Sequence, residues 1–149
     1  MKKVLIILIL ILLVIQFIPS GLPDNNPVAG QDIHDLISVP ENVSLILRNA
    51  CYDCHSQEVK YPWYSYVAPV SFLVARDIRV GREELDFSKW GELTKRKQIK
   101  LLSEISEDVE DGEMPMKIYP PLHPEARLTQ EDIDLIIEWT EQTSEKILE

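Results

Sequence analysis

The chain contains no stretch in which apolar and polar residues alternate long enough to make a half-buried strand, which removes β-sandwiches, barrels and βαβ units from consideration. It is also short of positive charge. Its 15 lysines and arginines stand against 25 aspartates and glutamates, a formal balance of −10. Such a surface argues against nucleic acid and anionic lipid headgroups and suits a basic protein partner. At 149 residues two domains are not expected, and one compact domain of about 100 residues with an N-terminal appendage is the natural reading.

The appendage is distinctive. Lys2 and Lys3 precede an unbroken aliphatic run from Val4 to Val14, and apolar character continues to Ile18. That length lies between a signal-peptide core and a full membrane span, which needs roughly 17 residues. No clean small-x-small cleavage site follows, because cleavage after Ser20 or Ala29 would put Ile18 or Pro27 where a small residue is wanted, and no cysteine is there for lipidation. Residues 1–20 therefore read as a signal peptide or, preferably, a retained membrane anchor with its lysines on the cytoplasmic side. The remainder is expected to be exported, to the periplasm or the outer side of the cytoplasmic membrane. Residues 21–39, with prolines and glycines and no sustained periodicity, read as a flexible tether, and residues 40–149 as the folded domain.

Within that domain the apolar positions repeat at helical spacing. Val43, Ile46, Leu47 and Ala50 predict a helix from about Glu41 into a cysteine motif, and Val70, Leu73, Val74 and Ile78 a second, with Gly81 as its stop. Leu101, Leu102, Ile105 and Val109 mark a third between about Thr94 and Asp111. A fourth opens at Thr129, where Thr-x-x-Asp to Asp132 forms a capping box. The expected class is all-α: about four helices and long loops, preceded by an N-terminal hydrophobic segment. Loops of that length in so small a domain need something to pack on, such as a large flat ligand.

The cysteine motif is CYDCH, from Cys51 to His55. Two thiols one helical turn apart can add to the two vinyl groups of a haem, and a histidine directly after them can reach the iron as proximal ligand. Rival readings of the pair are weaker. A thioredoxin-like couple expects a βαβ setting and a zinc site lacks a second pair of ligands beyond His34 and His123, while a plain disulfide stays open in an oxidising compartment.

A sixth ligand would come from the opposite face, and a thioether suits it because it is soft and neutral. Every methionine of the domain lies in GEMPM, as Met114 and Met116. Pro115 pushes Met114 toward extended geometry, so its side chain can project from a loop, and Met114 is preferred. Met116, His123 and a purely packing role for the methionines stay open. Tyr61 and Trp63 are candidates to line the haem edge, or to be ordinary core. Arg48, Lys60, Arg76, Arg79 and Arg82 are all possible partners for the haem propionates.

The run from Ile46 to Ser65, ILRNACYDCHSQEVKYPWYS, followed by APVS, GREELDFSKW, GEMP, HPEARLT and Trp139, resembles the bacterial haem-binding domain family of small c-type cytochromes. The resemblance covers about Pro40 to Trp139. It implies one covalent haem c, export and an N-terminal membrane segment, and it extends to the class I cytochrome c pattern, in which a final helix packs on the first. By that pattern Cys51 and Cys54 take the vinyls, His55 the iron and Met114 the sixth position. Some relatives carry a histidine where this chain has Arg76 and Asp77.

The function expected is a monohaem c-type cytochrome, not an enzyme, that transfers single electrons outside the cytoplasm to a redox protein basic at its docking face. The alternative is a haem-based sensor or small peroxidase-like enzyme with an open sixth position, and a thiol-disulfide module without haem is a third. A dihaem peroxidase is excluded because there is one CxxCH.

Overall fold

The computed structural model describes residues 1–149. It is all-α, with seven α-helices: α1 (Lys2–Ile15), α2 (Ile33–Leu36), α3 (Glu41–Ala50), α4 (Tyr52–His55), α5 (Val70–Glu84), α6 (Lys95–Glu110) and α7 (Gln130–Leu148). Three 3-10 turns at Trp63–Tyr66, Phe87–Glu92 and Pro124–Ala126 connect them. The predicted periodicities correspond to α3, α5, α6 and α7. Val43, Ile46 and Leu47 of α3 and Leu101, Leu102, Ile105 and Val109 of α6 are all buried, so on these two helices the stripe read from the sequence is the core face; on α5 it is not, because Val70 and Leu73 are exposed and the buried positions are Ser71, Ala75, Ile78 and Gly81. On α7 the buried stripe is Ile136, Trp139, Thr140 and Thr143, and it packs on α6 and α3. The expected capping box is present: the Thr129 hydroxyl accepts from the Asp132 amide, and the Asp132 carboxylate accepts from the Thr129 amide at 2.8 Å.

Two parts of the expected architecture need correction. The fold has seven helices where about four were expected. The N-terminal segment is not a membrane-spanning one: α1 has 14 residues, about 21 Å at 1.5 Å per residue against a hydrocarbon core of about 30 Å. No helix is long and apolar enough to cross a membrane. Just beyond α1, the Gln16 side-chain amide bonds both the N–H and the C=O of Ala68, each at 3.0 Å, joining the segment to the domain.

Residues 21–39, expected as a tether, lie along the domain. Arg79 donates to the Gly21 carbonyl, Arg82 to the Asp24 carbonyl, and Asn25 pairs with the backbone of Val59 in both directions. Ile33 is wholly buried among Val43, Leu47, Phe87 and Trp90 of the core. The hydrogen bonds of Arg79, Arg82 and Asn25 join residues more than thirty positions apart, so local composition gives no sign of them.

Gly81 does not stop its helix, since α5 runs three residues further. A Cβ there would stand 2.7 Å from the Cys54 carbonyl oxygen. Glycine is what allows α5 to lie directly against α4.

Candidate haem site

Helix α3 ends where CYDCH begins. The amides of Cys54 and His55 donate to the Cys51 carbonyl at 3.1 and 2.9 Å, winding the motif into a single turn. Its two cysteines are free and partly buried. Burial pushes the Cys51 thiol up to about 12, with Cys54 adding to the effect, and burial with the nearby Asp53 pushes Cys54 up to about 11. Both sulfurs therefore stay protonated at neutral pH and do not act as reactive thiolates.

His55 is held by α5. Its Nδ1 lies 3.0 Å from the Gly81 carbonyl oxygen and 3.1 Å from that of Leu85. Two acceptors require the proton on Nδ1, which leaves Nε2 with an unshared lone pair. Burial lowers the imidazole pKa, outweighing the opposite pull of the two carbonyls, so the ring is neutral and able to ligate. A histidine whose far nitrogen donates to backbone carbonyls is the usual arrangement for a metal ligand, because it sets both tautomer and ring orientation.

The methionine loop arrives from α6. Gly112 adopts a left-handed conformation (φ +67°), and the amides of Glu113 and Met114 both donate to the Asp108 carbonyl, at 2.8 and 3.0 Å. This reversal folds GEMPM back over the last turn of α6. Met114 packs against the edge of the hydrophobic core.

These parts converge. Cys51, Cys54, His55, Met114 and Met116 all line one cavity of about 310 Å³, whose apolar walls include Leu85, Phe87, Leu101 and Ile105. The donor set suits haem: two thiols, a neutral imidazole with a free nitrogen and a soft thioether, around an apolar space. Its charged residues are all acidic: Asp53, Asp77, Glu84, Glu104 and Asp108. Burial raises the Asp108 pKa, and repulsion from Glu113, Glu104 and Glu107 adds to the rise.

A second cavity of about 220 Å³ abuts the first and shares Asp53, Cys54, Asp77, Met116 and Tyr119 with it. Tyr61 lines this second cavity only, and its hydroxyl donates to the Pro23 carbonyl. Trp63 is 78% exposed and lines neither cavity, so the edge-lining role expected for it is not what the fold gives it.

His123 is also outside both cavities. Its ring stacks on Tyr119 with centroids 4.0 Å apart and hydrogen-bonds the Tyr64 hydroxyl. His34 is likewise engaged elsewhere, with Asp32, Tyr52 and Ser44. Phe87, Gly81 and the α5 carboxylates escaped the sequence reading because they reach the site only through packing. DFSKW was the one signal for Phe87, since Asp86 caps the turn that carries it.

An all-α fold that gathers CxxCH, a lone-pair imidazole and a methionine around one apolar cavity defines a haem-binding class of domain. Residues 10–142 match the model of the haem-binding domain family, and the chain belongs to that family. No curated protein and no solved structure matches it.

Proposed function

We propose that this haem-binding domain is a monohaem c-type cytochrome that passes single electrons outside the cytoplasm. Cys51 and Cys54 would hold the haem through thioethers, with His55 and Met114 as axial ligands. The haem supplies an iron that cycles between two oxidation states. The observation that carries the reading is the shared cavity of Cys51, Cys54, His55 and Met114, with the His55 Nδ1–H given to two carbonyls and Nε2 left free.

In this reading the chain's own groups exclude water and fix the ligands. Leu85, Phe87, Leu101 and Ile105 keep the cavity apolar, and the pinned imidazole keeps one orientation through a change of oxidation state. With His55 and Met114 both given to the iron, no position would stay open for a substrate, and the protein would act as a carrier and not as an enzyme. The Lys2–Lys3 start and the apolar run of α1 support export, which places the motif where c-type attachment is completed. The acidic residues from Glu104 to Glu113 border the ligand loop, so the partner is a redox protein that presents basic residues there.

A pyridine haemochrome spectrum of the protein, produced with c-type maturation machinery, tests the covalent haem. A thioether-linked spectrum is expected, and a haem extractable into acidified organic solvent would contradict it. Carbon monoxide added to the reduced protein tests the sixth ligand, because rapid and complete binding would point to the sensor or peroxidase-like alternative. Electron transfer to a basic partner should slow as salt rises, since screening weakens the attraction.

A further inference from the structure

The haem reading leaves the two propionates without an assigned place. In the first cavity every charged wall residue is a carboxylate, so a propionate there would face like charge in a poorly solvated setting. The cations named from the sequence divide clearly. Arg48 pairs with Glu58 and sits over the Tyr52 ring, Arg79 holds the Gly21 carbonyl, and Arg82 holds the carbonyls of Ser56 and Asp24. Lys60 and Arg76 alone among the lysines and arginines line either cavity, and both line the second.

A second, independent feature stands in the same place. Ser65 lines the second cavity, is 0% exposed, and its hydroxyl has no hydrogen-bond partner. A buried hydroxyl is rarely left unpaired, so an acceptor brought by a ligand accounts for it. On the same cavity wall, which also carries Asp53 and Asp77, the guanidinium of Arg76 neutralises Asp77 at 2.6 Å and keeps further donors in hand, while Lys60 forms no ion pair.

We propose that the two cavities form one haem crevice, and that the second is its propionate end, with Ser65, Lys60 and Arg76 as the carboxylate-binding residues. The five shared wall residues make the spaces continuous in chemistry as well as position: thioethers and axial ligands in the first, carboxylates in the second. The proposal rests on the haem reading above. It adds a reason for the aromatic loop after CYDCH, which carries Ser65 on the turn Trp63–Tyr66 and closes the crevice over its charged end.

Ser65→Ala is the cleanest probe, because it removes an unpaired hydroxyl and no protein hydrogen bond. The haem-loaded protein is compared with S65A, K60Q and R76Q, and with the charge-retaining K60R and R76K, by resonance Raman and by redox titration. Expected are a shift of the propionate-bending band in S65A, K60Q and R76Q, and a lower potential in K60Q and R76Q, because loss of a nearby positive charge favours the ferric state. K60R and R76K should recover the wild-type potential. Unchanged bands in all three variants, with haemochrome spectra intact, would overturn the propionate assignment and leave the cytochrome reading standing. Absence of a c-type haemochrome in the wild-type protein would instead remove both.

Discussion

The two sides of the haem cavity are built differently. The histidine side is a packed junction: α4 lies against α5 through Gly81, and the carbonyls of Gly81 and of Leu85, just past α5, hold the His55 ring. The methionine side is a loop that depends on one left-handed glycine and two amide bonds to the Asp108 carbonyl. A packed junction resists displacement because any shift meets backbone atoms, whereas a loop held by a few hydrogen bonds can open locally at small cost. The histidine side is therefore the fixed reference of the site, and the methionine side is where its properties are adjustable.

The strongest way to break the contrast is to damage the rigid side. Gly81→Ala should destabilise the protein by about 2 kcal/mol, within the range for overpacking, and broaden the haem spectrum by displacing His55. Thermal melts and absorption spectra check both effects. Met114→Ala comes next. It should cost about 1–2 kcal/mol, less than the truncation of a fully buried side chain, while opening the sixth position so that the reduced protein binds carbon monoxide readily. Met116→Ala should leave that position closed; an equal effect from Met116→Ala would move the ligand assignment.

Acid should act on the rigid side through His55, and more gently. The His55 pKa is held below its ordinary 6.5 by burial. Below pH 6.5 the unfolded chain takes up a proton that the folded haem-free chain refuses, so stability is full above that value and declines as pH falls toward the folded pKa. Urea midpoints of the haem-free protein should trace this decline, and His55→Gln should flatten it. The smallest effect belongs to Trp63→Ala. With the indole 78% exposed and outside both cavities, its spectrum should match wild type and its stability should change by about 0.5 kcal/mol or less.

Legibility followed the range of the interactions involved. The helices α3, α6 and α7 were readable because each buries the apolar stripe it carries, α5 was readable as a helix but not in its buried face, and the Thr129 box was readable because its partners are three residues apart. Gly81 was misread as a stop because its role depends on Cys54, a residue of another helix. The packing of residues 21–39 was hidden for the same reason, since its anchors Arg79 and Arg82 are far along the chain. Trp63 and Tyr61 look alike in YPWYSY, and only the course of the turn sends one to solvent and the other to the second cavity.

By itself the amino-acid sequence determined the all-α class, the one-turn spacing of CYDCH and the confinement of the domain's methionines to GEMPM, because these depend on spacing along a single turn or helix. Tertiary structure decided that residues 21–39 lie along the domain, that His55 has its Nδ1 against two backbone carbonyls, and that Lys60, Arg76 and an unpaired Ser65 line a second cavity. Those outcomes depend on which backbone carbonyls and side chains meet across elements, and burial and hydrogen-bond satisfaction choose among such meetings only when the whole chain has packed.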